Sequence, residues 1–533
     1  MEAAPESQLP VPRPASVRLY AALSVALALA AGLGLRLWML KQFFDVEGDP
    51  LVYGGLAKNL LLSGRYALTA PGGEIYCTLI RLPGYPLFLA LCFRLFGMEN
   101  YVAAAWVQIP LDLAGCLLLA DFAGRIVPVL ARQIAPVSPD SGVEFHPGAA
   151  HCTLWLAVLC PFTAIYAAQP LTESLTLFML TLALWSAARF REQPAWGYAL
   201  WFTFAVTYAA LLRPDGALIG MVLAPALAMG LWRVERKMGA PSLPRSCFCG
   251  KGGIPRPPDA PKLLRMAVIC TLLALAPFAV WSWRNWQVFH VFQPLAPRMA
   301  NDPGEDTHPG WELWIKSWCV DFVSTYEVYW NVPGGPLDVS TLPSRAFDSP
   351  AQRAETAALA ADYNRGGQSL TPAIDARFGR LAAERNAAHP LRSALWLPLG
   401  RMADMWFRPR VENLPIDLDW WVYEHHDGET LFSWAYAGLN ALYLLLGLAG
   451  LCLRPRFSTP RTKTCPWGPR FWGPIVAYFL LRSALLMTVE APESRYTIEC
   501  FPMLFALGGV ALYRFTNWVL LSVLRTKASA GRG

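Results

Sequence analysis

Apolar residues in this chain fall into long unbroken runs, near 16–40, 81–97, 101–124, 151–168, 172–190, 196–213, 216–232, 264–285, 431–453, 471–489 and 500–522. Crossing a hydrocarbon core of about 30 Å takes about 20 helical residues, and a helix satisfies its own backbone hydrogen bonds where there is no water to do so. The runs therefore predict an all-α polytopic membrane protein with about eleven transmembrane helices. They are blocks rather than alternating patterns, in a chain that is 55% hydrophobic and only 16% charged, with mean hydropathy +0.32. The first run, SVRLYAALSVALALAAGLGLRLWML, is longer than a typical signal-peptide core and no A-x-A-like cleavage site follows it, so it is expected to be retained.

The net charge of +7 does not point to nucleic acid, because Lys and Arg cluster in short segments between apolar runs. Such segments face the cytoplasm. They are PRPASVR, Arg125 with Arg132, Arg189 with Arg191, the stretch from Arg233 to Arg265, RPRFSTPRTK and the terminal RTKASAGRG. From residue 125 onward the alternation leaves Gln169 to Glu173, Arg213 to Asp215, residues 286–430 and Glu490 to Arg495 together on the outer side of a cell membrane. Earlier in the chain, the runs 81–97 and 101–124 cannot both be full crossings if Asp49 is outside and Arg125 inside. The first is shorter and carries Arg94, so either it is re-entrant or a half-span, or the loop after 124 breaks the rule. The expected organisation is an N-terminal membrane module, 1–285, whose first outer loop, 41–80, is an interfacial helical loop and the expected catalytic one. An outer segment, 286–430, and C-terminal membrane helices, 431–533, follow.

In the outer segment, AQRAETAALAADY and AIDARFGRLAAERNAA read as charged helices, leaving no room for a nucleotide-sugar fold. No strand followed by GxGxxG and no GxxxxGK[ST] occurs, so neither a soluble nucleotide donor nor ATP has a visible binding motif. Twelve cysteines are scattered; Cys247 and Cys249 form a CxC without a matching pair at zinc spacing, so free thiols are the simpler reading. Intramembrane charges and many spans suit a transporter or flippase, or a non-catalytic assembly factor, equally well. The missing internal repeat and the carboxylates gathered on one side weigh against transport.

Those carboxylates begin with Asp45, Glu47 and Asp49, directly after the first run. Asp49 and Tyr53 share a face if the loop is helical. Mg²⁺ or Mn²⁺ suits three carboxylates so close, although such an oxygen cluster is no diagnostic metal motif. Arg495 and Tyr496 precede the last run in EAPESRYTIE, with Glu493 beside them; a guanidinium pairs bidentately with phosphate, or else snorkels at the interface. Arg81 and Tyr85 in RLPGYP, Arg213 in RPDG and Arg284 in WSWRN stand at other membrane borders, where topology alone accounts for an Arg. Glu173 follows Thr172, a plausible N-cap, so a structural role in a first helical turn competes with a functional one. His425 and His426, beside Glu424 and Asp427, offer metal-ligating groups, but adjacent histidines face different ways.

In order along the chain, GDPLVYGGLAKNLLLSGRYAL, RLPGYPLFLALCFRLFG, PFTAIYAAQPLTESLTLFML, LLRPDG, WSWRNWQVF and ESRYTIECFPMLFALGG resemble the bacterial branch of the class C glycosyltransferases, which is similar to the dolichyl-phosphate-mannose protein mannosyltransferases and the aminoarabinose transferases. The resemblance implies an inverting glycosyltransferase that moves a monosaccharide from a polyprenyl-phosphate carrier to a hydroxyl of a lipid, glycan or protein at the outer face. It implies Asp49 as catalytic base, Glu173 facing the active cavity, and Arg495 with Tyr496 at the lipid phosphate. Arg81, Tyr85, Arg213, Arg284 and Glu493 are further substrate-binding candidates. Where many relatives show Asp-Glu, this chain has Asp49-Pro50, so either the second carboxylate is dispensable or Glu47 replaces it.

Overall fold

The computed structural model describes residues 14–126, 147–238, 260–453 and 468–530. Arg132, Cys247 with Cys249, RPRFSTPRTK and the last three residues lie outside them.

Every apolar run is helical, and the chain is a polytopic helical membrane protein. Helix α1 (Pro14–Phe43) leads to α2 (Asp49–Ser63), a hairpin of β1 (Ala67–Thr69) and β2 (Ile75–Cys77), then α3 (Gly84–Phe96) and α4 (Tyr101–Ile126). A bent pair, α5 (Pro147–Val158) and α6 (Pro161–Ala167), precedes α7 (Thr172–Glu192), α8 (Trp196–Leu212), α9 (Leu218–Met238) and α10 (Ala260–Phe289). Helices α11 (Pro309–Lys316), the single turn α12 (Phe322–Ser324), α13 (Pro350–Arg365), α14 (Pro372–Ala388) and α15 (Leu397–Phe407) follow. Helices α16 (Asp427–Cys452), α17 (Gly468–Leu486) and α18 (Phe501–Ala530) close the chain.

Among the described residues, five helices are long and apolar enough to span a membrane, and the α5–α6 pair, bent by 61°, makes a sixth. Helices α3, α8, α9 and α17 contribute shorter apolar stretches, so the structure does not establish a count of eleven crossings. The 13 residues of α3 rise about 20 Å, short of the roughly 30 Å core.

Helix α7 is central, buried along most of its length and packed on α4, α8, α9 and α18. One apolar core joins it to α1, α3, α4, α5 and α18. Helix α10 packs chiefly on α8 and leaves Leu264, Leu272, Leu275 and Val280 exposed, as a lipid-facing helix does. Inside the bundle, the fully buried Arg36 of α1 pairs with Asp112 of α4 at 2.5 Å and donates to the carbonyls of Gly32 and Val158. One guanidinium thereby ties α1, α4 and the end of α5, which offsets the cost of holding its charge away from water.

The segment between α10 and α16 has a separate core of Trp311, Trp314, Trp318, Tyr363, Phe378 and Leu381. Its helices start as the sequence dictates: Ser349 caps α13 and Thr371 caps α14, each accepting a backbone N–H three residues on.

Candidate active site

Helix α2 begins where Gly48 takes a positive φ of 63°, which sets Asp49 in the first turn with Pro50 beside it. An acidic residue is favoured at the positive end of a helix, and proline is tolerated there because the amide it lacks would be unpaired. The Asp49-Pro50 departure is thus a helix start. Gly64, at φ 68°, ends α2 by donating to Leu60, and the hairpin turns the chain back towards α3. The Tyr66 hydroxyl donates to the carbonyls of Arg81 and Leu82 at 3.1 and 3.2 Å, fixing the loop that carries Arg81. Helix α3 starts at Gly84 because nothing larger fits: a Cβ there would lie 2.5 Å from the Leu211 carbonyl oxygen. That close approach brings the Arg81 loop beside the end of α8, where Arg213 follows.

These segments meet, with the head of α7 and residues 485–496, around a cavity of about 620 Å³. The Asp49 carboxylate sits between two guanidinium groups, 2.9 Å from Arg81 and 3.2 Å from Arg495. Burial pushes the Asp49 carboxyl up, but Arg495 and Arg81 override it and hold the group below its ordinary value of 3.8. Arg495 also pairs with Glu493 and lies 4.0 Å from Glu173. Glu173, almost wholly buried at the start of α7, is 3.0 Å from Arg213, which in turn contacts Asp215 and Glu499. The ring of Tyr496 lies under both Arg213 and Arg495, at 5.5 and 5.8 Å, while its hydroxyl donates to Glu493. Tyr53 lines the same wall as Asp49, four residues along α2.

The junctions assigned to one side from the basic loops therefore converge, and Asp49, Tyr53, Arg81, Glu173, Arg213, Glu493, Arg495 and Tyr496 line one space. Three candidates do not. Glu47 is exposed outside the cavity, one residue before the glycine that turns the chain into α2. Tyr85 is buried inside the bundle, its hydroxyl donating to Gln108 at 2.8 Å and its ring edge on Tyr53. Arg284 donates to the carbonyls of Thr78 and Tyr66 and stacks near Trp281, so it fastens the hairpin to α10. Asp45 is also exposed and caps the next amide, so Asp45, Glu47 and Asp49 do not converge as a metal site. Among the described residues, Asp417, His426 and Glu429 do come within 4.8 Å of one another, at a different place.

Several contributors escaped sequence reasoning. Asp215, Arg298 and Glu490 line the cavity. Arg482 of α17 is fully buried, 2.5 Å from Asp215 and 3.0 Å from Glu499, and donates to the Tyr496 carbonyl. Arg410 donates to the carbonyl of Ser494 and the hydroxyl of Thr497. The turn bearing Arg495 and Tyr496 is thus gripped by two buried guanidiniums. Arg482 left a signal, an arginine inside the apolar run 471–489; Arg410, in a polar loop, left none.

A second cavity of about 450 Å³ adjoins the first and shares Trp330, Glu493 and Arg495 with it. Its other walls include Tyr166, Phe322, Arg408, Glu412 and Trp420. An apolar groove of about 350 Å³ runs between α8 and α10, lined by Leu200, Phe204, Tyr208, Leu211, Leu273 and Pro277.

No protein-family model and no curated protein matches this chain. Among solved structures it is similar to the Archaeoglobus fulgidus oligosaccharyltransferase in complex with Zn and sulfate, at 11% identity and TM-score 0.44, over 95% of this chain and 51% of that one. The same archaeal protein, AglB, with an inhibitory peptide and a dolichol-phosphate, matches at 12% identity and TM-score 0.46, over 96% and 52%. ArnT from Cupriavidus metallidurans, bound to undecaprenyl phosphate, matches at 16% identity and TM-score 0.35, over 92% and 78%. The chain spans about half the length of the archaeal enzymes.

Proposed function

We propose that this chain is an inverting class C glycosyltransferase that takes a monosaccharide from a polyprenyl-phosphate carrier and passes it to a hydroxyl acceptor at the outer face of the cell membrane. One observation carries the proposal: Asp49 lies within hydrogen-bonding distance of both Arg81 and Arg495 in a cavity walled by the junctions that the basic loops place outside. A base and phosphate-binding cations stand in contact, as glycosyl transfer from a phosphate requires.

The carrier's phosphate takes its place against Arg81, Arg495 and Arg213, and its apolar chain lies in the groove between α8 and α10, whose wall includes Leu211, the residue before Leu212 and Arg213 of the cavity. The acceptor enters through the second cavity, whose wall includes Arg495. Its hydroxyl oxygen bonds to the anomeric carbon while Asp49 takes the proton. The bond from that carbon to the phosphate oxygen breaks on the opposite face, with its electron pair remaining on the phosphate. The resulting dianion is stabilised by the arginines and leaves without a general acid. Before the donor arrives, Asp49 is paired with both guanidiniums; a phosphate that engages them releases Asp49 from their field and makes it a stronger base. The Asp45, Glu47 and Asp49 run does not assemble a cation site, so guanidiniums carry the phosphate charge in this scheme.

Mass analysis of lipid-linked sugars and glycoconjugates in cells lacking the full chain tests this. A polyprenyl-phosphate sugar should accumulate and a glycoconjugate disappear, with wild type but not Asp49→Asn reversing both. Unchanged pools would refute the proposal, and movement of a lipid-linked sugar between leaflets without bond transfer would replace it with a flippase.

A further inference from the structure

Outside the catalytic cavity, the loop after Arg410 returns to the head of α16 through His426. One face of that imidazole is open to two carboxylates: Nδ1 lies 3.4 Å from Asp417 and 4.0 Å from Glu429. The opposite nitrogen, Nε2, lies 3.1 Å from Asp419. Glu429 is itself oriented, accepting the Asp417 backbone N–H at 2.9 Å. We propose that Asp417, His426 Nδ1 and Glu429 form a binding site for a borderline divalent cation, Zn²⁺ foremost, with Asp419 as the outer partner that sets the histidine tautomer.

The geometry distinguishes this group from an acidic patch. A tetrahedral ion with bonds of about 2.0–2.1 Å holds its ligand atoms about 3.3 Å apart. The His426–Asp417 separation already has that length, and the others close by rotation of side chains that stand at the surface. A metal-bound histidine characteristically gives its other N–H to a carboxylate, which leaves the ligating nitrogen unprotonated, and Asp419 occupies that position. A nitrogen with two carboxylates favours zinc over the all-oxygen preference of Mg²⁺ or Ca²⁺, and water completes the sphere.

The site has a structural consequence. Asp417, Leu418 and Trp420 line the second cavity, and Thr430 of α16 already donates to the Trp420 carbonyl. An ion shared by Asp417, His426 and Glu429 would pin that wall to the first turn of a membrane helix. The inference stands on these distances and does not depend on the glycosyltransferase reading.

The test uses the full chain purified in detergent through a tag without histidine, stripped by a chelator and dialysed against Zn²⁺. Wild type should retain one zinc per chain more than His426→Ala or Glu429→Gln, and its thermal transition should rise with Zn²⁺ while theirs does not. Asp419→Asn should bind about 10–100-fold more weakly, as expected for loss of an outer partner. X-ray absorption of the zinc-loaded wild type should show nitrogen and oxygen ligands only. Equal zinc content in wild type and both variants would overturn the site, and so would sulfur ligation, which would transfer the ion to the cysteines of the CxC segment.

Discussion

Replacing Asp49 by Asn keeps the shape of the side chain and removes its charge and its basicity, and the structure makes these two losses act in opposite directions. As the proposed base, Asp49 would be worth about 10²–10⁴ in rate, or roughly 3–5 kcal/mol of barrier. As a counter-ion, it occupies Arg81 and Arg495, the groups that the proposed donor phosphate would engage. The carboxylate side chain is 25% exposed, so solvent screens most of the attraction, and about 1 kcal/mol remains to be returned to the donor. That is about fivefold in affinity. Asp49→Asn should therefore lower kcat by two to four orders of magnitude while the donor KM stays level or falls by up to about fivefold. The assay is transfer of labelled sugar from a purified polyprenyl-phosphate donor in detergent, with acceptor saturating. A variant with kcat within about tenfold of wild type, or one whose donor KM rises, would refute the base assignment and leave Asp49 as an ion-pair residue.

The same pairing fixes the pH dependence. Because Arg495 and Arg81 hold the Asp49 carboxyl below 3.8 despite its burial, its contribution to stability is present above that value and lost as pH falls through the lower, folded value. At neutral pH the free protein should show no titration of this group. With donor bound, the phosphate draws the arginines away, so the acid limb of kcat should lie at higher pH than that of kcat/KM. Coincident limbs would contradict the exchange of partners.

Other perturbations have equally definite outcomes. Arg495→Lys keeps the charge but loses the planar fork, so donor KM should rise and kcat fall, each by about tenfold or more, and unchanged donor kinetics would remove Arg495 from the phosphate site. Arg36→Leu leaves Asp112 buried without its partner and should cost about 3–5 kcal/mol, read as a lower thermal transition in detergent, with Arg36→Leu/Asp112→Leu recovering much of it. Glu312 is pushed up to about 7 by burial and then by Glu490, so its protonated form supports the fold below 4.5 and that support is lost as pH rises through about 7. Glu312→Gln should therefore match wild type at pH 5 and exceed it in thermal stability at pH 8; the reverse order would place the carboxyl elsewhere.

Much of this architecture was legible because a membrane restricts what a sequence can do. Each apolar run was expected to be helical, and from residue 125 onward the runs to alternate sides, so a shared side for Glu173, Arg213 and Arg495 followed from the arginine-rich loops before any contact was known. Pairing was not legible. Asp49 and Arg495 are 446 residues apart, and nothing local to either indicates that they touch. Nor could the sequence separate Arg213 from Arg284, since both stand at the end of an apolar run. Only the packing of α3 against α8 turns one to the cavity, while Trp281 and the hairpin hold the other. Charges within runs, Arg36, Asp112 and Arg482, were visible singly, but their partners lie on other helices.

The cavity's charge balance explains why so many of these pairs are needed at once. Its walls carry four arginines, 81, 213, 298 and 495, against five carboxylates, Asp49, Glu173, Asp215, Glu490 and Glu493. A site that presented the arginines alone would hold any phosphate tightly and would itself be costly to fold, since like charges would face one another across one cavity. With the carboxylates in place, each guanidinium has a partner in the absence of ligand. A phosphate dianion gains only what exceeds those contacts, so binding is selective for a group that can engage several guanidiniums together. In the proposed reaction, product phosphate would be released as the carboxylates return to their partners. Asp49 differs from the rest in one respect: it is shared between two arginines far apart in the chain, so in the proposed mechanism its displacement by a phosphate would also free it to take a proton.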